Sequence, residues 1–375
     1  MMLTTKIISI EKSHLRGTRP RNIGYNARIG NHGSGIGDAV IRVQTEGGAA
    51  GLGWARINEE EAQNLVGRSV EELFDLEEMS TTADGEVLDL PLWDLVSKLH
   101  GQPLYQFLGA RGSREVETYD GSIYIDDLEA DDDEVVEIFQ KEVQTGREYG
   151  FTNFKIKIGR GARWMPMQEG LARDILVIHI VREAAGQDAK ILVDANMGNT
   201  LNSARHILDE CSDANIFWFE EPFAEDPALN KALSEFIEEK GYDTLVADGE
   251  FAPPPSFFQM VEQGWIDLVQ QDFRFKGLSW WRKTAEMIEP WGALCAPHTW
   301  GSFVEKFPHA HFAASVPHYS LLEACPADMP GLITDAWKME DGKLFVPDEP
   351  GCGFDVDEEF YQKGLQDKGC FMVKA

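Results

Sequence analysis

Between residues 151 and 298, short apolar runs repeatedly end on a charged residue that a surface loop has no reason to hold. The run at 154–158 carries Lys155 and Lys157; the next ones, at 191–194, 216–220, 245–250, 266–272 and 293–298, lead to Asp194, Glu220, Glu250, Asp272 and His298. From residue 115 onward, strand-like and helix-like stretches alternate with a period of about 25 to 35 residues, the pattern of a parallel α/β barrel. In such barrels the functional groups gather at the C-terminal ends of the strands, so these charged residues, with Glu323 ending an eighth strand, should converge on one mouth.

The remaining chain supports that barrel. Residues 5–15 and 38–45 read as strands of an antiparallel meander, joined by a polar loop, 16–33, that carries Arg16, Arg19, Arg21, Arg28 and His32. Helical signals fill 58–108, and Gly101-Gln102-Pro103 breaks them, so the first hundred residues form a separate α+β domain. Residues 118–125 give the first barrel strand, and the acidic run 126–134 reads as a solvated helix start. Asp226-Pro227 opens a further helix, and 342–346 reads as a turn and strand.

With 375 residues a large core is possible, and 64 acidic against 34 basic residues give a formal net charge of −30. That field argues against nucleic acid or an anionic membrane as partner, and an anionic substrate would need local cations or a metal. Five cysteines without a CxxC pair point to a reducing, cytoplasmic compartment. Residues 1–10 lack the apolar stretch and cleavage signal of a leader, and no run is long enough to span a membrane.

Asp194, Glu220 and Glu250 come from adjacent strands and make a hard oxygen site suited to Mg2+. Asp248 is spaced i, i+2 from Glu250 and is an alternative third ligand on geometry alone. Lys155 and Lys157 share that spacing and point together into the mouth, where a neighbouring ammonium and a metal would lower the pKa of a lysine acting as base. Asp272 could fix the tautomer of His298 and leave its other nitrogen as acid or base. Two proton-transfer groups facing a metal suit abstraction of a proton beside a carboxylate, where the hard step is stabilising an enediolate. Simpler readings exist for single elements: a strand-end carboxylate can cap the next helix, and two lysines can sit on an exposed edge. His309-Ala310-His311 falls within a helix and not at a first strand's end. The glycine-rich 33–37 stretch precedes a strand, and Gly159-Arg160-Gly161 reads as a turn, with Arg160, Arg163 and Trp164 able to border the pocket.

On these residues the chain resembles the enolase superfamily, specifically its mandelate racemase subgroup, with acid-sugar dehydratases as the nearest functional kin. Residues 88–109 (LDLPLWDLVSKLHGQPLYQFLG) and 346–358 (VPDEPGCGFDVDE) also look like parts of that family. The resemblance implies a modified TIM barrel, (β/α)7β, at 114–330, capped by an α+β domain at 1–113 to which 331–375 return. It implies Asp194, Glu220 and Glu250 as Mg2+ ligands, Lys157 as base beside Lys155, Asp272–His298 as a dyad and Glu323 as a substrate-carboxylate partner; a Lys or His base with Mg2+ is general knowledge of this superfamily. The expected activity is dehydration of a sugar acid, an aldonate or aldarate, to a 2-keto-3-deoxy acid. A racemase or epimerase of a 2-hydroxy acid is the alternative, and a barrel that only binds is a third reading. Arg19, Arg21, Arg28 and Asn196 are expected to contact this small anionic substrate, and a homo-oligomer is expected.

Overall fold

The computed structural model describes residues 5–375; residues 1–4, part of the stretch read above as lacking a leader, lie outside them. Eight parallel strands form the barrel: β4 (Glu115–Ile123), β5 (Phe154–Lys157), β6 (Ile191–Asp194), β7 (Ile216–Glu220), β8 (Leu245–Asp248), β9 (Leu268–Val269), β10 (Leu294–Cys295) and β11 (Leu322–Ala324). Each neighbour pairs with the next from β4 to β10, β11 pairs back onto β4, and a Cys295–Tyr319 bridge closes the ring. A helix follows each of the first seven strands, which gives (β/α)7β.

The strands are buried on both faces, so their sequences are near-continuous apolar runs. Tyr119, Leu192, Trp218, Ala247, Leu268, Ala296 and Leu321 fill the barrel axis. Register then aligns the polar ends: Lys157 pairs with Asp194, and Asp194 with Glu220. The helix after β4, Asp132–Glu148, starts at Asp131, which caps it reciprocally with Glu134, as the acidic run predicted. Asp226 caps Pro227–Lys240 by accepting the Ala228 and Leu229 N–H groups, with the proline in the first turn.

A four-stranded antiparallel sheet covers the barrel, in the order β12 (Phe371–Lys374), β1 (Ile7–Ile23), β2 (Gly33–Thr45), β3 (Ala50–Gly53). The expected 16–33 loop is corrected here. β1 runs on to Ile23 and pairs with β2 as far as Gly33, leaving 24–32 as the connection. Arg19 and Arg21 take inward positions of that strand, where an apolar residue would have signalled it, so the alternation was lost from the sequence. Tyr25 is bonded both ways to Ile125 beyond β4, which lays 24–32 over the barrel mouth. The predicted turn and strand at 342–346 form a short hairpin that adds antiparallel to β4. All five cysteines are free, four of them buried, and among the described residues no helix is long and apolar enough to cross a membrane.

Candidate active site

The strand ends bring Asp194, Glu220 and Glu250 together, all buried, with one oxygen from each lying within 4.8 Å of the others. Asp194 accepts the Asn196 N–H (2.8 Å), and Glu220 accepts from Trp218 Nε1 (3.1 Å) and Gln270 Nε2 (3.0 Å). Glu250 Oε1 is buried without a hydrogen-bond partner. Burial pushes Glu250 well above the usual carboxylate range, and Glu221 and Glu220 push it further. Three converging carboxylates with an unanswered oxygen are the donor set that a hard divalent cation fits.

Asp248 and Glu250 do not face the same way. Gly249 stands between them at φ 117°, in a region that favours glycine, and breaks the alternation of the strand. Asp248 turns instead toward Glu225 and Glu221, and burial with their charges raises its pKa strongly. Glu250 alone of the two joins the cluster.

Lys155 is fully buried, its Nζ 2.6 Å from Glu220, 3.0 Å from Glu323 and 3.5 Å from Asp194. Lys157 is ion-paired with Asp194 and lies 5.2 Å from the Tyr124 ring centroid. Burial is the largest influence on Lys157 and acts to lower its pKa, but Asp194, joined by Tyr124 and Glu250, outweighs burial and Lys155, so this ion pair holds Lys157 above its ordinary value.

Across the mouth, His298 Nδ1 is 2.8 Å from Asp272 Oδ1, and Asp272 Oδ2 accepts the Phe251 N–H at 3.1 Å. His298 Nε2 faces Glu250 (3.4 Å) and Glu323 (3.8 Å). Burial disfavours the imidazolium, yet Glu323 and Asp272 outweigh it and raise the His298 pKa. Glu323 Oε2 accepts the Thr299 N–H at 2.9 Å; against its burial, Lys155 and His298 hold its pKa down to about 2.

Residues 139–360, more than half the chain, match the model of the enolase C-terminal domain-like family. The chain belongs to that family. A galacturonate dehydratase from Geobacillus sp., complexed with D-galacturonate and 5-keto-4-deoxy-D-galacturonate, is 32% identical with a TM-score of 0.93, covering 99% of this chain and 100% of that one. A mandelate racemase/muconate lactonizing protein from Geobacillus sp. Y412MC10, complexed with magnesium/tartrate, is 32% identical at a TM-score of 0.94, covering 99% and 97%. The arabinonate dehydratase of Saccharolobus solfataricus is 27% identical over 283 residues, 74% of this chain and 70% of that one. The resemblance to the enolase superfamily and its fold thus holds along the chain.

The cationic residues of the cap have different fates in this member of the family. Arg21 pairs with Asp120 (2.7 Å) and Glu142, so its charge is spent on bracing β1 against the barrel and the expected substrate contact is corrected. Arg28 is exposed, and its carbonyl accepts from Arg163 Nη1 at 2.5 Å. Arg19 is buried against the Trp300 ring. Asn196 donates to Glu221 (3.0 Å) and keeps a buried, unpartnered Oδ1. Of the turn after β5, Trp164 and Arg163 hold the 24–32 connection, whereas Arg160 is fully buried between Asp127 (2.8 Å) and Asp174 (2.6 Å), away from any pocket border. His309 and His311 lie buried inside helix Lys306–Ala313 and form no metal cluster among the described residues. Sequence reasoning missed Tyr124, Trp300 and the Phe251 N–H. Tyr124 and Trp300 follow strand ends by one and several residues, where an aromatic looks like ordinary core, and a backbone donor leaves no mark in a sequence.

Proposed function

We propose that the chain is a Mg2+-dependent dehydratase of a sugar acid. The observation that carries this reading is the placement of a lysine pair and a His–Asp dyad around one three-carboxylate centre. Asp194, Glu220 and Glu250 would hold a divalent cation, which would supply Lewis-acid stabilisation of negative charge on a substrate carboxylate. With Asp194 so engaged, Lys157 loses its strongest anionic partner and can release and accept a proton at Nζ. Lys155 stays cationic and positions the substrate carboxylate, while the ionised Glu323 holds Lys155 and His298 in place. His298, kept protonated by Glu323 and Asp272, is suited to donate from Nε2 to the departing β-hydroxyl. A racemase would use the same protonated His298 to return the proton to the opposite face; the named dehydratases favour elimination.

The named relatives support the chemistry. Counted from its carboxylate, the 5-keto-4-deoxy product of the Geobacillus dehydratase has its keto group α and its deoxygenated carbon β, the relation expected of a 2-keto-3-deoxy acid. Magnesium in the second Geobacillus protein supports the cation. In the proposed division of labour, residues 1–113 and the returning 331–375 cap a barrel at 114–330, in a cytoplasmic homo-oligomer; sedimentation analysis tests the assembly.

The experiment is proton NMR of the Mg2+-loaded protein in heavy water with aldonic, aldaric and uronic acids. Loss of the β-carbinol signal with a new deoxy resonance is expected. Exchange of the α-proton or an epimer without dehydration would replace this reading with a racemase.

A further inference from the structure

Most buried cations in this molecule are well answered: Arg21 by Asp120 and Glu142, Arg160 by Asp127 and Asp174, and Arg182 by the carbonyls of Ala214, Gly186, Ala189 and Asn215. Arg19 breaks the pattern. It is 8% exposed, its Nη1 donates to the Gly35 carbonyl at 2.5 Å, its buried Nε has no partner, and among the described residues it forms no ion pair. Lys306, at the start of its helix, is a second unpaired cation, with its Nζ 3.4 Å from the Phe303 ring centroid. A guanidinium stripped of water without an anion is costly, and in a chain of net charge −30 carboxylates are plentiful, so its isolation needs a cause.

Its position supplies one. The Arg19 guanidinium lies 5.0 Å from the Trp300 ring, Trp300 stacks on Tyr124 at 4.8 Å, and Tyr124 meets Lys157 at 5.2 Å. Two stacked rings therefore separate Arg19 from the reacting lysine. His32 sits beside both rings, at 5.0 Å from Tyr124 and 6.4 Å from Trp300. Its Nδ1 donates to the Gly24 carbonyl (2.9 Å), which leaves Nε2 as an acceptor suited to a hydroxyl.

We propose that Arg19 receives a second carboxylate at the far end of the substrate, so that the acid is an aldarate with its hydroxylated chain passing His32. This rests on the dehydratase reading for the near end only. A bidentate Arg–carboxylate contact at a buried site accounts for a roughly 10- to 100-fold preference.

The test compares galactarate, galactonate and galacturonate, and the corresponding glucose- and talose-derived acids, with Mg2+ and with wild type, Arg19→Met and Arg19→Lys. The expected result is a kcat/KM for one aldarate at least about tenfold above its matched aldonate and uronate. Arg19→Met should abolish that ratio through KM, with the slower acids changed less than about threefold, and Arg19→Lys should restore part of it. A wild type that prefers the uronate or aldonate, or an Arg19→Met variant that loses all three acids equally, overturns the proposal; the latter marks a purely structural clamp on Trp300. If no acid turns over, the dehydratase reading falls, and calorimetric titration of the same acids decides the anion site. Tighter aldarate binding that Arg19→Met removes sustains it, and equal binding overturns it.

Discussion

Gly249 decides which of two acids joins the centre, and it has no room for a side chain: a Cβ there would sit 2.5 Å from Phe257 Cζ. Gly249→Ala combines that clash with a strained backbone and should cost about 1–3 kcal/mol of stability and weaken Mn2+ binding at the three carboxylates at least about tenfold, read by urea denaturation and calorimetry. For the proposed chemistry, Lys157→Ala and His298→Asn should each lower kcat by about 100-fold or more with the circular dichroism spectrum unchanged; wild-type turnover in both would remove these residues from the mechanism. Arg160 makes a different prediction. Arg160→Met leaves Asp127 with Arg173 alone and Asp174 with backbone N–H donors alone, and should destabilise by about 3–5 kcal/mol, measured by denaturant titration.

Among the elements, helix Lys306–Ala313 carries two buried imidazoles whose pKa values burial pushes down to about 3. His311 Nδ1 accepts the Tyr105 N–H, and His309 Nε2 meets the Tyr319 hydroxyl at 2.6 Å, contacts made by neutral rings. An unfolded histidine titrates near 6.5, so between about pH 6.5 and 3 the unfolded chain binds more protons and each ring removes about 1.4 kcal/mol per pH unit as acid is added. Their contribution is intact above pH 6.5 and lost below it. His309→Gln should flatten the acid limb of stability against pH by about half; an unchanged limb would assign it to other groups. The sequence made the barrel strands legible because burial on both faces writes them as apolar runs, and their polar ends were legible because a charge at the end of such a run has few other uses. The extension of β1 was not legible, since Arg19 and Arg21 occupy inward positions where the alternation calls for apolar residues. The ion pair of Lys157 was hidden for a related reason: spacing revealed its neighbouring ammonium but not how closely Asp194 would approach.

At the scale of the molecule, a net charge of −30 makes the compact state repel itself. Raising KCl from 0.05 to about 1 M shortens the Debye length from over 10 Å to about 3 Å, and Tm should climb by several degrees across that range; a flat or falling Tm would mean that the ion pairs lost to screening outweigh the repulsion relieved. Sequence distance adds a consequence in time. In the covering sheet Ser9 pairs with Lys374, whereas each barrel strand from β5 to β10 pairs with one that lies a single helix away. Closing a loop of such length carries the larger entropic cost and belongs late in assembly. A refolding chain should therefore regain cation binding at its three carboxylates before it regains any choice among acids, passing through an interval in which a competent centre stands under an unfinished roof.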